Sequence, residues 1–151
     1  MVYREATVND IDQMHTIRLA VRENILVNHS LVTSEHYIKL ISKNGKGWVC
    51  ESDSRIVAFA IVDSVKKNVW ALFVHPEYEA KGIGKTIHKI MLDWYFSHDD
   101  ESLWLSTDAN TRADHFYRQC GWKELFRFGK NEIKFEMTAQ FWRNNSSQIR
   151  P

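Results

Sequence analysis

Proline is almost missing from this 151-residue sequence, where Pro76 and Pro151 are its two members. Cysteine is as scarce. Cys50 and Cys120 both lie in apolar segments, which excludes a disulfide-dense scaffold and fits buried reduced thiols. Long hydrophobic runs are absent too. No apolar stretch approaches bilayer-spanning length, and the opening MVYREATVND has no hydrophobic signal region. A soluble cytoplasmic protein with no membrane partner is therefore expected. A dominant charge is also lacking. The formal net charge is +1, which removes a bulk electrostatic case for nucleic acid. The seven histidines show no HxH, HxxxH or HEXXH spacing, so no metal site is expected.

What is present is a core. Apolar residues make up 44% and aromatic residues 13%, including six Trp, enough for one folded domain. Its expected limits are residues 1–143, with 144–151 as a polar, flexible tail. Val2–Val8 reads as a strand. Ile11, Met14, Ile17, Val21 and Ile25 recur at helical spacing and predict a helix over about 10–24. Thr33 or Ser34 caps a shorter helix, which Asn44, Gly45 and Gly47 stop. Strands follow at Trp48–Glu51 and Ile56–Asp63. After Trp94 come a short strand at Leu103–Leu105, a helix at Asn110–Gln119 and strands at Trp122–Phe128 and Glu132–Met137. The order β-α-α-β-β-β-α-β-α-β-β predicts an α/β (α+β) fold with a mixed, mostly antiparallel central sheet flanked by helices. Phe126, Phe128, Phe135, Phe141 and Trp142 fit either strand core or a dimer contact, so monomer and homodimer both stay open.

Chemistry is densest in Val69–Trp94. Val69–Val74 is an apolar run of strand length, and Pro76 ends it because proline cannot donate to a sheet ladder. Gly82 and Gly84 then permit close backbone approach to a ligand. Ile83, Ile87, Ile90, Met91 and Trp94 form one helix face. The free N–H groups of that helix's first turn suit an anion. Three readings compete for Glu79–Thr86. Gly84-Lys85-Thr86 matches the end of a P-loop, but that pattern needs glycine at position 79, and the Glu79 carboxylate would repel phosphate. A glycine pair can also merely turn strand into helix. The third reading is a coenzyme A pyrophosphate.

The wider sequence favours the third. FVHPEYEAKGIGKTIHKIML resembles motif A of the GNAT acyltransferase superfamily, matching at Leu72-Phe73-Val74, Pro76, Tyr78, Gly82 and Gly84. TDANTRADHFYRQCGW resembles motif B of the same family through Asn110, Phe116-Tyr117 and Gly121-Trp122. The resemblance covers nearly the whole chain and implies acetyl-CoA as cofactor. It further implies transfer of an acetyl group to a primary amine of a small molecule or peptide, by direct attack in a ternary complex. Leu72, Phe73 and Val74 would pair with the pantetheine arm through main chain, and Asn110 and Phe116 would line it from the other side. The loop of Glu79, Ala80, Lys81, Gly82, Ile83, Gly84, Lys85 and Thr86 would bind the cofactor, with the backbone amides from Lys81 to Lys85 holding most of the pyrophosphate. Glu79 departs from the family's Arg or Gln at the opening of the loop. It is expected to face solvent, with Lys81 and Lys85 offsetting its charge.

Tyr117 matches the family's general acid, which protonates the departing thiolate. A phenol of pKa about 10 suits a thiol of pKa about 8.5. Read from helical spacing alone, Tyr117 is a core aromatic; motif B around it favours the catalytic role. No carboxylate lies in Val69–Val74 to serve as base. Glu23, His29, His75 and Glu77 are candidates, and a water relay is the default. The acceptor would lie beside the first two helices, near Arg22, Glu23, Asn24, Asn28 and His29. A non-catalytic acyl-CoA-binding or partner-binding module of the same fold is the alternative.

Overall fold

The computed structural model describes residues 1–21 and 32–148. Seven strands form one sheet: β1 (Val2–Glu5), β2 (Gly45–Ser52), β3 (Arg55–Asp63), β4 (Asn68–Val74), β5 (Leu103–Asp108), β6 (Lys123–Phe128) and β7 (Glu132–Met137), in the order β1-β2-β3-β4-β5-β7-β6. The β4–β5 pair is parallel and the other adjacent pairs are antiparallel. One face packs on α1 (Ile11–Ala20) and α2 (Ser34–Lys39), where Met14, Ile17 and Tyr37 meet Val49, Phe59, Ile61 and Ala71. The other face packs on α3 (Ile83–His98), α4 (Arg112–Gln119) and α5 (Ala139–Asn145). There Ile87, Met91, Tyr95, Tyr117 and Trp142 cover Ala60, Val62, Leu103, Leu105 and Phe135. This is the mixed, mostly antiparallel α/β sheet that the element order implies.

The position of the site comes from β4. Along β3, Val62 pairs with Val69 and Ile61 with Ala71, so Trp70 is an extra residue, a β-bulge. Side chains alternate across a strand, and one extra residue shifts that alternation. Val69 faces the α3 side before the bulge. Ala71 and Phe73 face the α1 side after it, and Leu72 returns to the α3 side. Beyond the bulge β4 also leaves its parallel neighbour. The β4–β5 register holds at Asn68↔Trp104 alone, where Trp104 N–H donates to the Lys67 carbonyl at 3.0 Å. From there the two strands part toward their C-terminal ends.

Several local features differ from the sequence reading. The first helix ends at Ala20, with Val21 already extended at ψ 129°; residues 22–24 lie outside the described residues. Gly45 caps the last turn of the second helical segment, whereas Gly47 lies inside the strand that follows. A π-helical turn at Leu40–Asn44 runs straight into β2, and both glycines belong to that strand. A Cβ on Gly45 would sit 1.9 Å from the Val62 carbonyl oxygen, so close strand approach demands glycine there. The helix α5 was not anticipated, and the expected boundary at 143/144 falls inside it. Its polar sequence hides tertiary anchors. Trp142 Nε1–H donates to Asp93 Oδ1 (2.8 Å), and Arg143 donates to the Phe96 carbonyl (2.5 Å) and Asp100 (2.7 Å). Of the C-terminal aromatics, Phe135 and Trp142 are core, whereas Phe126, Phe128 and Phe141 are exposed.

Candidate active site

The parting of β4 and β5 leaves two cavities that share a wall. The larger, about 920 Å³, lies between the C-terminal half of β4, the N-terminus of α3 and helix α4. Of the predicted cofactor residues, Leu72, Phe73, Val74, Glu79, Ala80, Gly82, Ile83, Gly84, Lys85, Phe116 and Tyr117 line it. Lys81, Thr86 and Asn110 stand off the lining. Lys81 Nζ lies 5.2 Å from the Tyr78 ring centroid, and Thr86 Oγ1–H donates back to the Gly82 carbonyl at 3.0 Å. Asn110 is an exposed left-handed residue (φ +62°) whose N–H donates to Asp114 Oδ2 at 2.8 Å. It therefore shapes the entry to α4. Val21, Pro76, Tyr78, Arg112, Ala113, His115 and Gln119 also line the cavity. The i, i+3 spacing of Ala113 and Phe116 on α4 is the sequence signal for Ala113.

The turn that feeds α3 is built for an anion. Ala80 (φ +59°) and Gly82 (φ +80°) are both left-handed, and for Ala80 that conformation carries strain of about 1–2 kcal/mol. Helical bonding resumes only at Thr86 N–H, which donates to the Gly82 carbonyl at 3.1 Å, so the preceding first-turn amides have no helical acceptor. A Cβ on Gly84 would touch the Phe116 ring at 3.4 Å and Val74 at 3.6 Å. Any longer side chain there would enter the cavity. Glu79 does not simply face solvent: Oε2 pairs with Arg112 Nη1 at 3.2 Å across the mouth.

Backbone polarity along β4 follows from its pairing. His75 N–H donates to the Val57 carbonyl at 2.8 Å, and Phe73 pairs with Phe59. Alternation in an antiparallel ladder then turns the N–H and C=O of Leu72 and Val74 toward the side that β5 has left. These groups face the opening with no strand to bond.

The smaller cavity, about 340 Å³, fills the gap between β4 and β5 on the α1 side. Its wall includes Arg18, Trp70, Leu72, Phe73, Ser106, Thr107, Asp108, Ala113, Tyr117 and Glu132. Leu72, Phe73, Ala113 and Tyr117 border both cavities. The predicted acceptor residues Arg22, Glu23, Asn24, Asn28 and His29 lie outside the described residues. His75 and Glu77 line neither cavity. His75 Nδ1 accepts from Glu77 N–H at 3.1 Å, its Nε2 lies 3.4 Å from Arg55 Nη2, and Glu77 reaches Arg55 Nη1 at 4.0 Å.

Tyr117 is buried beside Phe116, Trp122 and Phe135, with ring centroids 5.3, 5.8 and 6.4 Å away. Burial raises its hydroxyl above the ordinary phenol range, so it keeps its proton at neutral pH. Burial likewise pushes the nearby Cys120 thiol, a core group outside both cavities, up to about 12. His88 lies behind both rings, fully buried. Its Nε2 accepts from Trp122 Nε1–H at 2.9 Å, and burial lowers its pKa to about 3. Because the unfolded chain binds a proton near pH 6.5 and the folded one does not until about 3, this group withdraws stability as pH falls through that window. The loss should be ~1–2 kcal/mol between pH 6.5 and 5. Denaturant titrations at the two pH values should show it in the wild type, with a flatter dependence in His88→Gln. Equal slopes would remove His88 as the cause.

The model of the acetyltransferase (GNAT) family matches residues 11–122, more than half of the chain. No curated protein sequence matches it. Solved structures share its fold at low identity. The PaiA N-acetyltransferase of Thermoplasma acidophilum, solved with coenzyme A, superposes with a TM-score of 0.77 at 15% identity, covering 91% of this chain and 98% of that one. The ribosomal-protein-S18-alanine N-acetyltransferase of Escherichia coli gives 0.74 at 15% identity, over 91% and 93%. Mutant forms of the spermidine/spermine N-acetyltransferase of Vibrio cholerae give 0.66 at 17% identity, over 96% and 98%. On the family match, which the shared fold supports, this chain belongs to the acetyltransferase (GNAT) family.

Proposed function

We propose that the chain is an acetyl-CoA-dependent N-acyltransferase that acetylates a primary amine by direct attack in a ternary complex. The observation that carries this reading is Tyr117, a buried, protonated hydroxyl on the wall between two cavities. The larger cavity fits coenzyme A. Free first-turn amides of α3 and the Lys85 side chain suit the pyrophosphate. Gly84 leaves room for it, and the outward backbone groups of Leu72 and Val74 suit the amide-bearing pantetheine arm. The bound thioester supplies the activated acetyl group. The amine enters from the smaller cavity, its nitrogen bonds to the acetyl carbon, and the carbon–sulfur bond breaks. Tyr117 gives its proton to the sulfur, and the proton shed by the amine passes to water, from which Tyr117 is reprotonated. The Val74 N–H, turned toward the opening, would stabilise the negative charge that develops on the carbonyl oxygen.

Glu79 is the feature that favours the second reading, a non-catalytic acyl-CoA-binding module. Its charge opposes phosphate, yet its pairing with Arg112 gives that charge a partner and holds a guanidinium at the cavity mouth. Arg112 takes over, from α4, the donor role that the loop position lacks. Calorimetric titration with acetyl-CoA tests this arrangement. Glu79→Arg should tighten binding about three- to tenfold, more at low salt than at high, because a repulsive charge becomes attractive. Unchanged affinity in Glu79→Arg would contradict the electrostatic account. Failure of the wild type to bind either coenzyme A or acetyl-CoA would overturn the function itself. The resembling solved enzymes are named for a ribosomal protein and for polyamines, so the fold alone leaves the acceptor open.

A further inference from the structure

The smaller cavity contains a cation that has no counter-ion among the described residues. Arg18 extends from α1 so that its guanidinium carbon lies 4.9 Å from the Trp70 ring centroid and 5.0 Å from that of Phe73. Its Nε and Nη1 are buried and have no hydrogen-bond partner, and no carboxylate among the described residues pairs with it. Tyr37, whose hydroxyl lies 3.1 Å from His15 Nδ1, also interacts with the guanidinium, so it is Nε and Nη1 that lack acceptors. Two aromatic faces hold a cation loosely, and they cannot accept its in-plane N–H bonds. A buried, charged donor left unpaired is a costly feature to retain, and an incoming oxyanion would remove the cost. Across the same gap, Thr107 Oγ1 is also buried without a partner. Asp108 and Glu132, register partners on β5 and β7, supply negative charge on that side.

Resting on the acyl-transfer reading above, we propose that the acceptor is a small amino-acid-like zwitterion. Its carboxylate is held by Arg18 between Trp70 and Phe73. Its ammonium group is drawn toward Asp108 and Glu132 before it loses a proton and attacks. The guanidinium fork suits a carboxylate in two-point contact, and the aromatic wall fixes the plane of that fork. A simple amine would leave Arg18 unsatisfied, so specificity arises from the penalty on acceptors that lack the carboxylate.

The test uses matched pairs that differ only by the carboxylate: alanine and ethylamine, leucine and 3-methylbutylamine, phenylalanine and phenethylamine. Acetylation by the wild type should favour at least one amino acid over its decarboxylated partner by about 100-fold in kcat/KM. In Arg18→Gln that preference should collapse to under about tenfold, and Arg18→Lys should recover part of it. Acetyl-CoA affinity, measured by calorimetry in each variant, should stay within about twofold and so report an intact fold. A second arm needs no turnover: the N-acetyl amino acid products are titrated into protein saturated with coenzyme A. Their binding should weaken at least tenfold in Arg18→Gln. A wild type that prefers the decarboxylated amines, a preference that survives in Arg18→Gln, or products that fail to bind the wild type would overturn the assignment. If the products bind through Arg18 but no amine is ever acetylated, the acyl-transfer reading fails while the carboxylate site stands.

Discussion

Replacing Tyr117 with phenylalanine should lower kcat at least tenfold and leave the KM for acetyl-CoA near its wild-type value. The ring packs among Phe116, Trp122 and Phe135, so the substitution keeps the buried apolar surface and removes one oxygen. Among the described residues no hydrogen bond to that oxygen supports the fold, and stability should change little. On the proposed mechanism, what the variant loses is a proton donor at the shared wall of the two cavities. Tenfold corresponds to about 1.4 kcal/mol of transition-state stabilisation, a modest demand for one proton transfer. Burial raises the phenol above its ordinary range, so the hydroxyl holds its proton until a stronger base such as a departing thiolate is beside it. The split between kcat and KM is the informative readout. An unchanged kcat would reduce Tyr117 to a packing residue.

The larger effect is expected at Gly84. Gly84→Asp should weaken acetyl-CoA binding at least 100-fold while the protein stays folded. The helix tolerates the change: Gly84 has no positive φ, the new Cβ makes only ordinary contacts, and a carboxylate in the first turn of α3 favours the helix dipole. The ligand does not tolerate it. The side chain would occupy the space where the phosphates approach the amides and set a negative charge against them. A thermal melt at or above the wild-type midpoint, combined with lost binding in calorimetry, would separate ligand exclusion from misfolding. Retained affinity would mean that the anion does not sit at this turn.

Much of this site is legible in the sequence because its parts are local. The apolar run, Pro76 and the two glycines fix the end of β4 and the start of α3, and Phe116-Tyr117 sits on a helix that a short pattern can place. The rest is not local. The parting of β4 from β5 depends on the extra residue Trp70, whose effect exists only once β3 supplies a register. The Glu79–Arg112 pair joins side chains from two elements, so a loop glutamate read alone looks like bare repulsion. Asn110 matched the motif, yet its left-handed backbone spends it on the turn into α4. Helix α5 was hidden because its polar residues are anchored by Asp93, Asp100 and the Phe96 carbonyl, distant partners that no periodicity reveals. Arg18 was passed over for the same reason: on α1 it reads as a solvated charge, and only the fold lays it across Trp70 and Phe73.

On the proposed reading, two cavities meeting at Tyr117 carry an acetyl group from a thioester to an amine. The most direct test is release of free thiol from acetyl-CoA, followed across a panel of amines and amino acids, with the acylated product identified by mass spectrometry. The account predicts thiol release that depends on an added amine, matched mole for mole by an N-acetylated product. A protein that binds acetyl-CoA yet releases no thiol with any amine above the rate of spontaneous hydrolysis would contradict it and identify a binding module.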